Sequence, residues 1–433
     1  MPLRALLLLA AGFAATAAAA DWPQWSGPHR DGKSADTGLL KEWPKDGPRL
    51  LWKIDTLGGG YSAPAVVGDR IYVLGGDSAT AIAKEYLICL NVADGKEVWR
   101  TTLNDDPKGP KSLGQNFATW GGGPRSTPAV DSELVYALGA TGDLVCVNRK
   151  DGKVVWKKNL VSDFGGGVPN WGYTESPLVD GGRVVVTPGG NKGAMIALDK
   201  NTGNPLWRCE ELTDPANYSS VVIAEVGGVR QYVQQTAKSA VGVRANDGKL
   251  LWKEDQLRRR TAVIPTPVVV KGDHVFFTSG YGAGCELIKL EPDGAGGTKA
   301  TVVYTRNPTV SNHHGGVVEH DGYIYGHNNR QWVCFDPMKG GEEPVWSSNA
   351  LGKGSVSFAD GYLYCYVERD GTLARVKATP DGWQEAGRFT LPVKSAIRPG
   401  SGKVWPHPVI ANGRLYLRDT EYLCCFDLRQ PGA

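Results

Sequence analysis

A unit of apolar strands and tight turns recurs along nearly the whole chain, and its mark is a small glycine turn leading into a tryptophan. Asp94-Gly95-Lys96-Glu97-Val98-Trp99 is one copy, and Asp151-Gly152-Lys153-Val154-Val155-Trp156 is the next. Asn201-Thr202-Gly203-Asn204-Pro205-Leu206-Trp207 and Asp247-Gly248-Lys249-Leu250-Leu251-Trp252 follow. Self-similarity at a fixed period sets the architecture before any single residue is weighed. Trp52, Trp99, Trp156, Trp207, Trp252 and Trp346 keep the period, and Tyr304 and Phe389 stand in at two further places. The intervals run from about 42 to about 57 residues, against ~40–50 for a four-stranded propeller blade.

Each unit opens with a small residue or proline and an alternating apolar run. Ser62-Ala63-Pro64-Ala65-Val66-Val67-Gly68-Asp69-Arg70-Ile71-Tyr72-Val73 is the clearest copy, and its Gly68-Asp69 pair is a two-residue hairpin signal. Related openings lie at Ser126–Val130, Ser176–Val179, Thr266–Val269 and His407–Ile410, with weaker ones at Ser219–Val222, Gly315–Val318 and Gly354–Ser357, eight in all. Third strands are read at Tyr86–Leu90, Asp143–Val147, Ala194–Leu198 and Trp332–Phe335, and the fourth strand carries the tryptophan. The last unit stops after Tyr422–Phe426 with no tryptophan strand, whereas Leu50–Ile54 is a tryptophan strand with no blade of its own. Pairing the two completes the eighth blade and removes the exposed edges. The expected fold is all-β: an eight-bladed propeller of four-stranded antiparallel blades, closed by its N- and C-terminal strands. No useful helical periodicity follows the N-terminal segment.

The expected layout is a signal peptide over 1–20, a leader over 21–49, the propeller over 50–428 and a short tail over 429–433. Arg4, the apolar stretch from Leu6 and the small residues Ala18-Ala19-Ala20 have the order of a secretory signal cleaved near Ala20. That places the mature protein in the periplasm or outside the cell. No cysteine follows the apolar stretch, which argues against a lipid anchor, and no other segment reaches the roughly 20 apolar residues of a membrane span. A formal charge of +3 with no basic stripe gives no case for nucleic acid. Arg258-Arg259-Arg260 reads as a solvated turn. A closed ring of this kind is expected to be a monomer.

The block Met195-Ile196-Ala197-Leu198-Asp199-Lys200-Asn201-Thr202-Gly203 resembles the pyrroloquinoline-quinone-like β-propeller repeat. The resemblance recurs in register over roughly residues 50–428. Asp21-Trp22-Pro23-Gln24-Trp25-Ser26-Gly27-Pro28-His29-Arg30-Asp31-Gly32 is similar to the leader of secreted bacterial members. Membership implies fold and not chemistry. Some relatives are dehydrogenases holding the quinone with calcium, an aspartate base and often a disulfide between adjacent cysteines. Others bind no cofactor and act as interaction platforms. Cys424-Cys425 is the element that fits the first kind. However, Cys89, Cys146, Cys334 and Cys425 share one third-strand position that Ala197 and Val243 fill in other copies, which marks a small core site. Adjacent residues in a strand also point to opposite faces. Cys209, Cys285, Cys365 and Cys424 remain for one or two bridges of undetermined pairing. Calcium wants six to eight oxygens, carboxylates are sparse in the relevant loops, and Glu175 is the best single candidate.

In a propeller the segments ahead of the first strands crowd one mouth of the central channel. Here they carry Tyr61, Trp120, Arg125, Trp171, Tyr173, Glu175, Tyr218, His313, His314, Trp405 and His407. Two are long and glycine-rich, Thr101–Arg125 and Phe164–Tyr173, as binding loops on rigid scaffolds tend to be. Three readings stand, in this order: a plug for the channel; a pocket for a protein, peptide or glycan partner; and a seat for a redox cofactor or metal. His313 or His314 with His407 is the metal option. The expected function is binding or scaffolding without catalysis, with a quinone- and calcium-dependent alcohol or sugar dehydrogenase as the alternative. No cofactor is firmly expected.

Overall fold

The computed structural model describes residues 20–78, 84–104, 114–259 and 261–430. The signal-peptide reading falls on residues outside these. Eight four-stranded antiparallel sheets follow one another around a ring. Their inner strands are Ala65–Val67, Ala129–Asp131, Leu178–Asp180, Val222–Val226, Val268–Val270, Val317–His320, Gly354–Ala359 and Val409–Ala411, one for each expected opening. We number the blades 1 to 8 in that order. One short helix, Gly114–Thr119, sits in the long segment before blade 2, where no helix was expected from the sequence. Among the described residues, no helix is long and apolar enough to cross a membrane.

Each sheet is buried on both faces. In blade 1, Ile71 and Val73 join the core shared with blade 8, while Tyr72 and Leu74 join the core shared with blade 2. Strand alternation therefore feeds two cores at once, which is why the strands read as nearly unbroken apolar runs. Each fully buried Val, Leu or Ile contributes roughly 1.5–3 kcal/mol. The cysteines follow the same rule. Cys425 packs into the core between blades 8 and 1 and Cys424 into the core between blades 7 and 8. All eight cysteines are buried free thiols. The bridges expected among Cys209, Cys285, Cys365 and Cys424 are not formed. These four lie in blades 3, 5, 7 and 8 and each fills core.

The repeat turn works between blades. Trp52 lies against Gly95 of the next blade, Trp99 against Gly152, Trp156 against Gly203 and Trp207 against Gly248. Each indole also donates its N–H to a main-chain carbonyl beyond the junction: Trp52 to Val92 at 2.9 Å, Trp99 to Arg149 at 3.2 Å, Trp156 to Lys200 at 2.9 Å and Trp207 to Ala245 at 3.0 Å. Tyr304 repeats the contact on Gly340, with its hydroxyl on the Pro337 carbonyl at 3.0 Å. Trp252 departs from the pattern and donates to Gln231 at 2.7 Å.

Blade 8 is closed by both ends of the chain. Leu50–Ile54 pairs antiparallel with Tyr422–Asp427. Blade 8 thus has no turn between its third and fourth strands, and Gly47, just ahead of Leu50, takes the place of the turn glycine under Phe389. Arg418, buried, spans the seam by donating to the Ser62 and Leu74 carbonyls of blade 1 at 2.9 and 2.7 Å.

The leader is part of the ring. Trp22 exchanges two 2.8 Å main-chain bonds with Val66 of blade 1, and Val130 of blade 2 donates to the Pro23 carbonyl at 2.8 Å. Arg30, 3% exposed, donates to the Ser176 and Pro177 carbonyls of blade 3. Trp25 donates to Thr266 of blade 5 at 2.9 Å. Ser34 and Gly32 bond to Phe358 of blade 7, and Trp43 then packs on Tyr364 and Phe389 on the way to Leu50. The segment threads the channel and returns to the rim. Of the arginine cluster read as a solvated turn, Arg259 is not solvated: its side chain is fully buried on Glu286 at 3.2 Å, and Arg260 lies outside the described residues.

Deleting residues 50–54 is expected to leave insoluble or molten protein, and an undiminished cooperative melt would refute the latch. Gly95→Ala tests the junction. Gly95 has φ +72°, and a Cβ there would sit 2.8 Å from the Trp52 ring, whereas Gly361, at φ +81°, has open space around it. Gly361→Ala should cost about 1–2 kcal/mol in a denaturant melt for the backbone alone, and Gly95→Ala distinctly more.

Candidate ligand-binding site

The segments ahead of the inner strands converge on a cavity of about 420 Å³ at one mouth of the channel. Nine of the eleven residues singled out in the sequence line it: Tyr61, Trp120, Arg125, Trp171, Tyr218, His313, His314, Trp405 and His407. Tyr173 and Glu175 do not. Tyr173 is buried with its hydroxyl on the Pro188 carbonyl at 2.8 Å. Glu175 is buried below the mouth, bonded to Thr187 through Oε2 at 2.7 Å and Oε1 at 2.9 Å and to Gln234 at 3.1 Å. Burial pushes its carboxyl up to about 7, against the pull of Arg30.

Aromatic rings form the wall. Tyr61 and Trp405 stand 4.9 Å apart, Trp171 and Tyr218 5.8 Å, and Tyr281 and His313 5.0 Å. Arg125 is covered by the rings of Tyr61 and Phe117, and its guanidinium is engaged by the carbonyls of Gly121, Gly123 and Trp171. The floor is Trp25 of the leader, 4.7 Å from the His407 ring. Trp25, Tyr281, Lys353 and Glu368 escaped the sequence reading. The tryptophan-rich leader was a usable signal for Trp25. Tyr281 and Glu368 lie in turns after the second strands of blades 5 and 7, and Lys353 belongs to no motif.

The histidines do not converge as metal ligands. His407 Nε2 meets the His314 carbonyl at 3.1 Å. His314 Nε2 donates to the Glu368 carboxylate, which also accepts from Trp405 Nε1. His313 Nδ1 accepts from Lys353 at 2.9 Å, and its Nε2 donates to the Tyr281 hydroxyl at 3.0 Å. Among the described residues, no group of three or more His, Cys, Asp or Glu is placed to hold a metal. Burial pushes His313 down to about 3 and His407 and His327 to about 4, so these rings are neutral. Although burial opposes it, the bond from His314 and the Lys353 charge hold Glu368 down at about 2.

The residues present do not fit a calcium-held quinone. Calcium needs six to eight oxygens, and the cavity wall is aromatic, histidine and small hydroxyl side chains with no carboxylate. Glu368, just behind it, is taken up by His314 and Trp405. Cys424 and Cys425 point into different cores.

A family model described as outer membrane protein assembly factor BamB matches residues 83–348. The chain belongs to this family. Among curated members, the assembly factor of Burkholderia pseudomallei is 24% identical over 288 residues, 58% of this chain and 71% of that protein. The assembly factor of Kangiella koreensis is 25% identical over 209 residues, 47% of this chain and 46% of that one, so the match spans under half of that relative. A tetrathionate hydrolase of Acidithiobacillus ferrooxidans is 26% identical over 221 residues, 47% of this chain and 38% of that protein. The assembly-factor fold recurs in BamB from Moraxella catarrhalis, with TM-score 0.59, 15% identity, 88% of this chain and 100% of that one. A quinohemoprotein alcohol dehydrogenase from Comamonas testosteroni has TM-score 0.63, 14% identity, 94% of this chain and 80% of that one. At such identities the two structures establish the fold alone.

Stability should peak at mildly acidic pH. For the three neutral histidines the folded pKa is depressed, so unfolding takes up protons below pH 6.5. Stability is then lost as the pH falls from 6.5 toward 4, with His327 and His407 each worth on the order of 3 kcal/mol at the limit. Glu175 works the other way. Its raised folded pKa means that stability is lost as the pH rises from the usual glutamate value through about 7. Glu85, whose carboxyl burial pushes up to about 8, adds to the same arm. Melts across pH 4–8 should show both arms, and Glu175→Gln should make only the upper one shallower.

Proposed function

We propose that this protein is a periplasmic or secreted binding propeller that holds a partner at the channel mouth and performs no chemistry of its own. The carrying observation is the composition of the mouth. Six aromatic side chains from segments ahead of the blades, or from nearby loops, enclose one cavity over a tryptophan floor, and its one charged lining side chain, Arg125, has its guanidinium taken up by carbonyls and rings. Such a cup can bury a ligand. No carboxylate lines it to serve as a general base. The plug reading fits the leader rather than the mouth residues, since Trp22–Gly32 fills the channel below and leaves the cup open above. The names of the assembly-factor relatives support a role as an interaction platform.

The test is a titration of the mature protein with pyrroloquinoline quinone and calcium. Tryptophan fluorescence would be followed together with dye reduction over a panel of alcohols and sugars. Neither saturable quenching nor turnover is expected. Quenching with turnover would make the protein a quinoprotein dehydrogenase and overturn the reading.

A further inference from the structure

The cup continues into a second hollow. A polar groove of about 670 Å³ runs along the same face over blades 5, 6 and 7, and Tyr281 and His313 line both spaces. The groove carries Ser311, Asn329, Arg330, Gln331 and Glu343. An aromatic cup thus opens directly into a channel of amides, hydroxyls and mixed charges.

Tyr281 marks the junction in another way. It has φ +57°, a conformation costing an L-residue roughly 1–2 kcal/mol, and for a bulky aromatic a true outlier. It is nevertheless 48% exposed, so packing gains little from holding it there. Lys353 donates to His313 Nδ1, and His313 Nε2–H donates to the Tyr281 oxygen. That order of donors leaves the Tyr281 hydroxyl proton free to be given to a ligand. On the same wall, His314 uses Nε2 to donate to Glu368, so its Nδ1 is an acceptor. That Nδ1 is buried and has no partner within the protein, although a buried acceptor ordinarily has one. The hydroxyls of Thr174, Ser220 and Thr261 complete the polar set of the cup.

We propose that the site binds an oligosaccharide, one sugar ring seated in the cup and further units lying along the groove. This rests on the binding reading above and gives it a ligand class. A pyranose presents a C–H face that stacks on tryptophan and tyrosine, and a rim of hydroxyls that both donate and accept. The cup offers those two faces together: rings at Trp120, Trp171 and Trp405, a donor at Tyr281, and the Thr174, Ser220 and Thr261 hydroxyls, which both donate and accept. It offers no unengaged charge, which suits an uncharged ligand and disfavours an acidic peptide or a phosphate. Trp120, 43% exposed at the rim, is the platform first met.

Calorimetry and tryptophan fluorescence with gluco-, xylo-, manno- and chito-oligosaccharides of one to six units test it. At least one series should bind, with the longest member at least about tenfold tighter than its monosaccharide, because the groove adds contacts. Trp120→Ala should weaken binding by about tenfold or more, and Tyr281→Phe, which removes only the hydroxyl, by about three- to tenfold, both with unchanged melting temperature. Silence of all series up to 10 mM (about the weakest binding such methods read), or wild-type affinity in both variants, overturns the proposal. Binding of an aromatic-rich peptide panel with silent sugars would overturn the sugar assignment and leave the binding function standing. Quinone-dependent turnover would overturn both.

Discussion

The ring depends on one contact repeated at six of its eight junctions: an aromatic side chain from the outer strand of one blade lying against the turn glycine of the next. The glycine is needed twice, for a left-handed backbone and because any Cβ would enter the ring plane, as at Gly95 beneath Trp52. The indole N–H then reaches a carbonyl past the junction, so the contact is directional as well as apolar. That combination fixes the angle between neighbours. A hydrophobic face alone would let blades slide. The seam obeys the same rule with borrowed parts, since Gly47 comes from the leader and Phe389 from blade 7. Closure is therefore one more copy of the ordinary junction rather than a special device.

Inner strands pose a separate problem. Each has one edge facing the channel with unpaired main-chain groups, and a buried unpaired group is costly. The leader answers part of it. It pairs with Val66, accepts from Val130 and pairs with Phe358. Arg30 covers the Ser176 and Pro177 carbonyls, which lie too far for main-chain pairing. Burying a guanidinium costs several kcal/mol unless it is fully bonded and paired. Glu175 nearby and the Gln24 side chain at 3.1 Å offset part of that cost, and Nε is left without a partner.

Most of the architecture was legible because it is periodic. The eight openings, the tryptophan strands and the orphan strand at Leu50–Ile54 all fell where repetition put them. Even Cys425 was identified as core from the residue types at its equivalents. What was illegible is aperiodic. The path of residues 21–49 is set by contacts to seven blades far apart in sequence, and nothing local announces that Trp25 ends beneath His407. Glu175 was misplaced for a related reason: the partners that hold it, Thr187 and Gln234, lie 12 and 59 residues further along the chain. Arg259 was misjudged as solvated because its partner, Glu286, lies on a neighbouring blade strand.

The walls and the contents of the mouth answer to different constraints. Changing Trp99 or Gly152 would loosen a junction, so the repeat answers to the architecture, and likeness to a dehydrogenase fold carries no chemistry. The mouth residues are free of that duty. Tyr281 and Trp120 are half-exposed and stabilise little, yet Tyr281 is held in a strained backbone. Strain without a packing return persists where a side chain must point in one direction. The Lys353–His313–Tyr281 chain fixes that direction for a donor. An oriented hydroxyl among flat rings is an arrangement that packing alone has no use for, and it accords with the binding site proposed above Trp25.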